Sequence, residues 1–478
     1  MSIKKMMSIE EVDEVLSLQE KTSKKLAYVV LVAIGYFWAV GFGLPIMLYQ
    51  PGLSYLLSLL SSILGGLAGY MPIIVTAIAI VFLLMFAAAI IFLKLIAKFA
   101  KEFLMAVYIM SSMLMLIFGL MSFAIPYAEA RIIGALLIGL GVLILIFFIM
   151  QRRRIILVGR LIEVSGRAVY DEKGTILAVL VKSLLIFLTS IAFIITEVLT
   201  VIFAAEVFQG YEYGSYIVGA IAIITAIFGL WAITFIDAFF SAVIVRIIHD
   251  WYRSPELDVA SFSKGLSKAW EVSGTIAKYS LLMAILYFVV RRARREAQVG
   301  KIGFAAKLVA LAAGISVAML EFLGFYLIPA AVIRRAGFKK SLKDSIDKLR
   351  GLFIETLIGM YGFGSTLAMC AFITALLMGG IGWIIGVAIF TPLLGLTGET
   401  ILVGIITGVA FLLLALIPIA FVTSAVSVAF KTIMYEYGLD IEFAIRGMYL
   451  PSRLPEDVRK IFNETLARKG LQIPQMIA

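Results

Sequence analysis

Three residue types that carry much of protein chemistry are almost missing from this 478-residue chain. His249 is the only histidine, Cys370 the only cysteine and Asn463 the only asparagine. A lone cysteine excludes an internal disulfide. One His with one Cys excludes Cys/His zinc clusters, bis-His haem and Cys-ligated iron–sulfur centres. No Walker loop, His-Glu-x-x-His, Gly-x-Ser-x-Gly or dinucleotide fingerprint occurs. The sequence therefore predicts a non-enzyme with no cofactor and no metal. The joint scarcity of Asn, Cys and His also fits a heat-adapted source.

Charge is scarce as well. Only 15% of residues are charged, against the roughly 25% that clothes a soluble domain. What fills the chain instead is apolar: 63% of residues are hydrophobic and the mean hydropathy is +1.08. Lipid must be the solvent for most of such a chain. Apolar runs of spanning length cover 26–49, 71–96, 103–125, 132–150, 176–205, 215–245, 272–290, 304–333, 352–378 and 401–430. The predicted fold is all-α, a polytopic bundle of about 8–10 spans at ~20 residues per crossing.

The net charge of +11 reads as topology, not as a nucleic-acid footprint. Clusters at Lys94–Lys101, Arg152–Arg167, Arg246–Lys268, Arg334–Arg350 and the tail from Lys431 alternate with loops holding almost no basic residue. This pattern predicts a cell-membrane protein with both termini in the cytoplasm. The cluster Arg291 to Arg295 does not fit. It would lie outside if 272–290 and 304–333 both cross, so these two runs are also readable as a re-entrant or interfacial pair. The expected organisation is a cytoplasmic amphipathic leader (1–25), a four-span unit (26–150), a membrane core (151–440) and a cytoplasmic helical tail (441–478).

Amphipathic segments flank the spans. Phe338, Leu342, Ile346 and Leu349 recur at helical spacing opposite lysines and aspartates. Phe262-x-Lys264-x-Leu266-x-x-Ala269-Trp270 repeats the same local pattern. Both should lie along the cytoplasmic interface, where they and the tail offer docking faces for a protein partner. The leader shows Ser8 and Glu11 in capping-box spacing, with Ile9, Val12, Val15 and Leu16 on one face.

From about residue 160 to 440 the chain resembles an uncharacterised family of prokaryotic multi-pass membrane proteins, a domain of unknown function. The resemblance rests on Ser165-Gly-Arg-Ala-Val-Tyr-Asp-Glu-Lys173, Phe239-Phe-Ser-Ala-Val243 and Gly265-Leu-Ser-Lys-Ala-Trp270. It continues through Phe325-Tyr-Leu-Ile-Pro329, Phe338-Lys-Lys-Ser-Leu-Lys-Asp-Ser345 and Lys431-Thr-Ile-Met-Tyr-Glu-Tyr437. It implies a helical membrane core with interfacial helices and supplies no substrate.

Ionisable residues inside lipid are the sharpest pointers to function, since each costs about 3 kcal/mol or more to insert at mid-bilayer. Glu197, Asp237 and Glu321 are the candidates, Asp237 and Glu321 at similar depth. They predict a permease with a proton or cation site. Interhelical bonds to hydroxyl groups are the competing explanation. Lys182 and Lys278 read as snorkelling or salt-bridged residues, and His249 with Asp250, Trp251 and Tyr252 as an anchor segment. Glycine spacing at Gly65/Gly69, Gly382/Gly386 and Gly404/Gly408 would allow close helix approach. A membrane-embedded scaffold for a larger assembly is the alternative function.

Overall fold

The computed structural model describes residues 9–18, 22–45, 71–125, 127–254, 261–298, 322, 324–391, 400–448, 450–456, 458–460 and 463–464. These form helices α1 (Ile9–Leu16), α2 (Lys25–Trp38), α3 (Met71–Phe123), α4 (Ala128–Asp171), α5 (Lys173–Val207) and α6 (Gly214–Arg253). The chain continues with α7 (Phe262–Glu271), α8 (Ser273–Gln298), α9 (Leu327–Arg334), α10 (Phe338–Gly351), α11 (Phe353–Ile385) and α12 (Thr400–Ile445). Short π-helical segments extend α2 over Ala39–Gly43 and α11 over Gly386–Phe390. Eight helices among the described residues are long and apolar enough to cross a membrane. The protein is an all-α, multi-pass membrane protein.

Two expected spans merge. The runs 71–96 and 103–125 belong to the single helix α3, 53 residues long, with Lys94, Lys98 and Lys101 at its waist. The intervening residues are Ala, Lys, Phe and Glu, with no Gly or Pro, so charge interrupts the apolar pattern without interrupting the helix. At 1.5 Å per residue α3 is about 80 Å long, more than twice the ~30 Å hydrocarbon layer, but one unbroken helix does not reverse direction and so makes a single crossing. Helix α8 likewise runs unbroken through Arg291–Arg295. Of the run 304–333 only residues 322 and 324–333 are described, ending in α9.

The chain divides into two compact units, one of residues 1–77, 174–250 and 259–347, the other of residues 78–173, 251–258 and 348–478. In the first, the α5/α6 hairpin packs with α2 and α8. Backbone carbonyls serve as acceptors across helices: the Trp231 indole N–H donates to Ala277 (3.0 Å) and the Thr234 hydroxyl to Ser280 (3.1 Å). In an apolar medium such bonds hold helices where burial alone gives little preference.

In the second unit α3 and α4 form an antiparallel pair in which Ser112 donates to the Gly141 carbonyl (2.8 Å). Helices α11 and α12 meet along the glycine positions singled out in the sequence. A Cβ on Gly408 would lie 3.0 Å from the Gly379 carbonyl, and one on Gly404 2.7 Å from the Trp383 indole nitrogen. The bare backbone there sets the helix separation. Gly65 and Gly69 lie outside the described residues.

Candidate functional site

Helix α2 reaches α5 through an aromatic seam. Phe37 is buried, with Trp38, Phe42 and Phe193 packed around it and Ala192 and Ala232 behind. The Phe37 and Phe193 rings meet edge to face at 5.5 Å. The Trp38 indole donates to the Thr189 hydroxyl (3.0 Å), and the Thr196 hydroxyl lies 3.3 Å from the Phe37 carbonyl it donates to. The helices touch so closely that a Cβ on Gly41, inside the π-helical segment, would overlap the backbone of Ala192. A π-segment widens one turn of a helix and leaves carbonyls off the i−4 pattern, which places it often at functional positions. On α6, Gly229 leaves the room that the Phe193 ring occupies.

Glu197 stands one turn beyond Phe193, on the same face of α5. It is half-buried, and its Oε2 is buried with no hydrogen-bond partner among the described residues. A carboxylate oxygen kept from water and from donors is costly unless a cation or proton occupies the place.

Asp237 has a different environment. Its carboxylate is 3.0 Å from the ammonium of Lys182, which is buried, while Asp237 itself is 56% exposed. Lys182 and Glu197 are fifteen residues apart on α5, about 22 Å along the axis. The structure thus joins Asp237 to Lys182, not to Glu197. Glu321 lies outside the described residues.

Two further ionic clusters are built at helix ends, drawing in His249, Asp250 and Tyr252 of the expected anchor segment and carboxylates not singled out in the sequence. In the first unit Asp13 of α1 is the hub. The Arg246 guanidinium donates to both its oxygens (3.0 and 2.8 Å), His249 Nε2 lies at 3.2 Å and Arg335 at 3.2 Å. Arg246 also pairs with Asp250 (2.7 Å), which Lys264 approaches at 3.4 Å. Burial pushes the Asp13 carboxyl up, yet hydrogen bonds from His249 and Arg246 outweigh it and hold the group well below the usual carboxylate range. Arg335 takes left-handed backbone angles (φ 48°) that close α9. Such a conformation costs a non-glycine residue about 1 kcal/mol, offset here by ion pairs to Asp13 and, at 3.9 Å, Glu271.

In the second unit Arg253, fully buried, binds Asp440 (2.5 Å) and Glu436, and Tyr252 donates to Asp440 at 2.7 Å. The tail is tied to the same place. The Arg453 backbone N–H donates to the Tyr252 carbonyl (3.0 Å), its guanidinium to the Ser254 carbonyl, and its charge lies over the Trp251 ring at 5.2 Å. Lys348 bridges Glu442 and the Gly438 carbonyl.

Comparison with protein families matches residues 135–442 to the plasma-membrane choline transporter family. The chain belongs to that family. A search of curated proteins gave no match. The resemblance over 160–440 therefore falls within a known family of membrane transporters, which corrects its reading as a domain of unknown function. A transporter family does not favour the scaffold alternative. The matched range of the choline transporter family includes Phe193, Glu197, Gly229 and Asp237, whereas the α2 side of the aromatic seam precedes it.

Proposed function

We propose that the protein carries a choline-like quaternary ammonium ion across the membrane, with Glu197 as the anionic group that meets it. The observation that carries this reading is the buried, unpartnered Glu197 Oε2 next to an aromatic seam. A quaternary ammonium has no proton to donate. It is held by a carboxylate charge and by aromatic faces, worth about 0.5–2 kcal/mol per cation–π contact. Phe193, one turn from Glu197, and Trp38 and Phe42, packed around the buried Phe37, supply such faces within the α2/α5 junction. Membership of the choline transporter family supports this substrate class, and the scarcity of His and Cys fits a carrier. The basic clusters orient both termini to the cytoplasm in this reading.

The test is uptake of labelled choline by proteoliposomes. Accumulation above empty vesicles is expected, blocked by tetramethylammonium but not by 3,3-dimethyl-1-butanol, the neutral isostere of choline. Equal block by the neutral isostere removes the role of the carboxylate, and no uptake by active, folded protein removes the substrate.

A further inference from the structure

Helices α7 and α10 use their faces alike. Each buries two small residues one turn apart: Gly265 and Ala269 in α7, Ser341 and Ser345 in α10. Beside that face each carries a bulky apolar strip at positions one, five and nine, Phe262, Leu266 and Trp270 in one, Phe338, Leu342 and Ile346 in the other, none of them fully buried. Both end in an elbow of similar geometry, Val272 (φ −105°, ψ 11°) and Leu352 (φ −119°, ψ 28°). The next residue of each begins a candidate span, Ser273–Val290 and Phe353–Ile389.

The elbow of α10 can be placed against the bilayer. Glu355 of α11, three residues past Leu352, pairs with Arg154 at 3.5 Å. No charged residue follows until Glu399. Charge thus stops about 5 Å beyond the elbow, at the edge of the hydrocarbon layer. An amphipathic helix joined to a span at that level lies in the headgroup region.

The third face separates the two helices. In α10, Lys339, Lys343 and Arg350 are exposed at i, i+4 and i+11, along the border of the apolar strip, and Asp347 is the exposed acid. At the positions of Lys339 and Lys343, α7 has Ser263 and Ser267. The geometry points to α10 as a binding surface for the anionic headgroups of the leaflet at its elbow. Phe338, Leu342 and Ile346 sit at the acyl boundary, and the three basic side chains snorkel to lipid phosphates. Helix α7 shares the placement but lacks the charge row, so it has no headgroup preference. This surface does not depend on the transport reading.

Native mass spectrometry of the full chain in detergent, with dioleoyl-phosphatidylglycerol or dioleoyl-phosphatidylcholine added, tests it. Wild-type protein should retain phosphatidylglycerol at least tenfold better. Lys339→Gln/Lys343→Gln/Arg350→Gln should bring it to the phosphatidylcholine level at an unchanged melting temperature, while Lys339→Arg/Lys343→Arg keeps the preference. Arg131→Gln/Arg152→Gln/Arg153→Gln, three exposed arginines of α4, should leave it intact. Equal loss in the two glutamine triples reduces the effect to bulk charge and overturns the proposal, as does full retention in the α10 triple. Displacement of the lipid by millimolar inorganic phosphate, or a co-purified protein on α10 that excludes it, also overturns it.

Discussion

Asp13 and Arg246 are 233 residues apart in sequence and close a two-point ion pair at 3.0 and 2.8 Å. Arg246 is 1% exposed and Asp13 12%, so the short N-terminal helix is keyed into the first unit by charge as well as by buried Val12 and Leu16. Removing one member of a buried pair strands the other, at a cost of about 3 kcal/mol or more. Asp13→Asn should therefore release α1. Cys370, the only cysteine, is buried, so a fluorophore on Ser17→Cys reports the release cleanly. The pH dependence has a fixed sign. A depressed carboxyl contributes fully above its unfolded value of about 4 and loses its contribution as pH falls through the folded value. The Asp13 contribution to docking of α1 should stay constant from pH 7 to about 4 and fall away only in stronger acid.

Gly41 and Gly35 make a matched pair on the α2 segment. An added Cβ on Gly41 overlaps the Ala192 backbone, whereas one on Gly35 meets nothing within 4 Å. Backbone cannot rotate away, so Gly41→Ala should cost about 1–3 kcal/mol and lower choline uptake through displacement of Phe37 and Trp38. Gly35→Ala should leave both unchanged. Thermal melts in detergent with uptake rates check the contrast.

The Lys182–Asp237 pair should be structural. A double-mutant cycle with Lys182→Met and Asp237→Asn is expected to give a coupling of about 1 kcal/mol, the usual scale for polar pairs between membrane helices. The KM for choline should stay within twofold in Asp237→Asn. A tenfold rise in KM would bring Asp237 back into the substrate path.

Arg253 is a structural anchor of the second unit. Its guanidinium serves two buried carboxylates, and Arg253→Leu leaves both without it. A loss of about 3–5 kcal/mol is expected, read as a fall in melting temperature. The triple change Arg253→Leu/Glu436→Gln/Asp440→Asn should recover part of it, since no stranded charge remains.

Much of the architecture is legible in the sequence, because lipid imposes length and apolarity on each span directly. The amphipathic helices α7 and α10 follow their stripes, and Gly404 and Gly408 sit where helix spacing requires them. The waist of α3 is not legible, since Lys94, Lys98 and Lys101 mark a loop in an apolar pattern but are good helix formers. Of the site, Glu197 is visible as a charge in an apolar run. Its aromatic neighbours are not, because Phe37 and Trp38 are two among many aromatics until α2 is docked on α5. Asp13 is hidden for a related reason: it lies on the polar side of an amphipathic leader, and its partners Arg246 and Arg335 are hundreds of residues away. Arg253 had one local clue, its place beside His249, Asp250, Trp251 and Tyr252, a density of polar and aromatic groups that a plain membrane anchor does not need.

The most direct test is the initial rate of labelled choline uptake by Glu197→Gln and Glu197→Asp in proteoliposomes, normalised to folded protein. Loss of the charge should lower uptake at least tenfold, about 1.4 kcal/mol at the site, with Glu197→Asp retaining a measurable part. Uptake by Glu197→Gln equal to wild type would contradict the account.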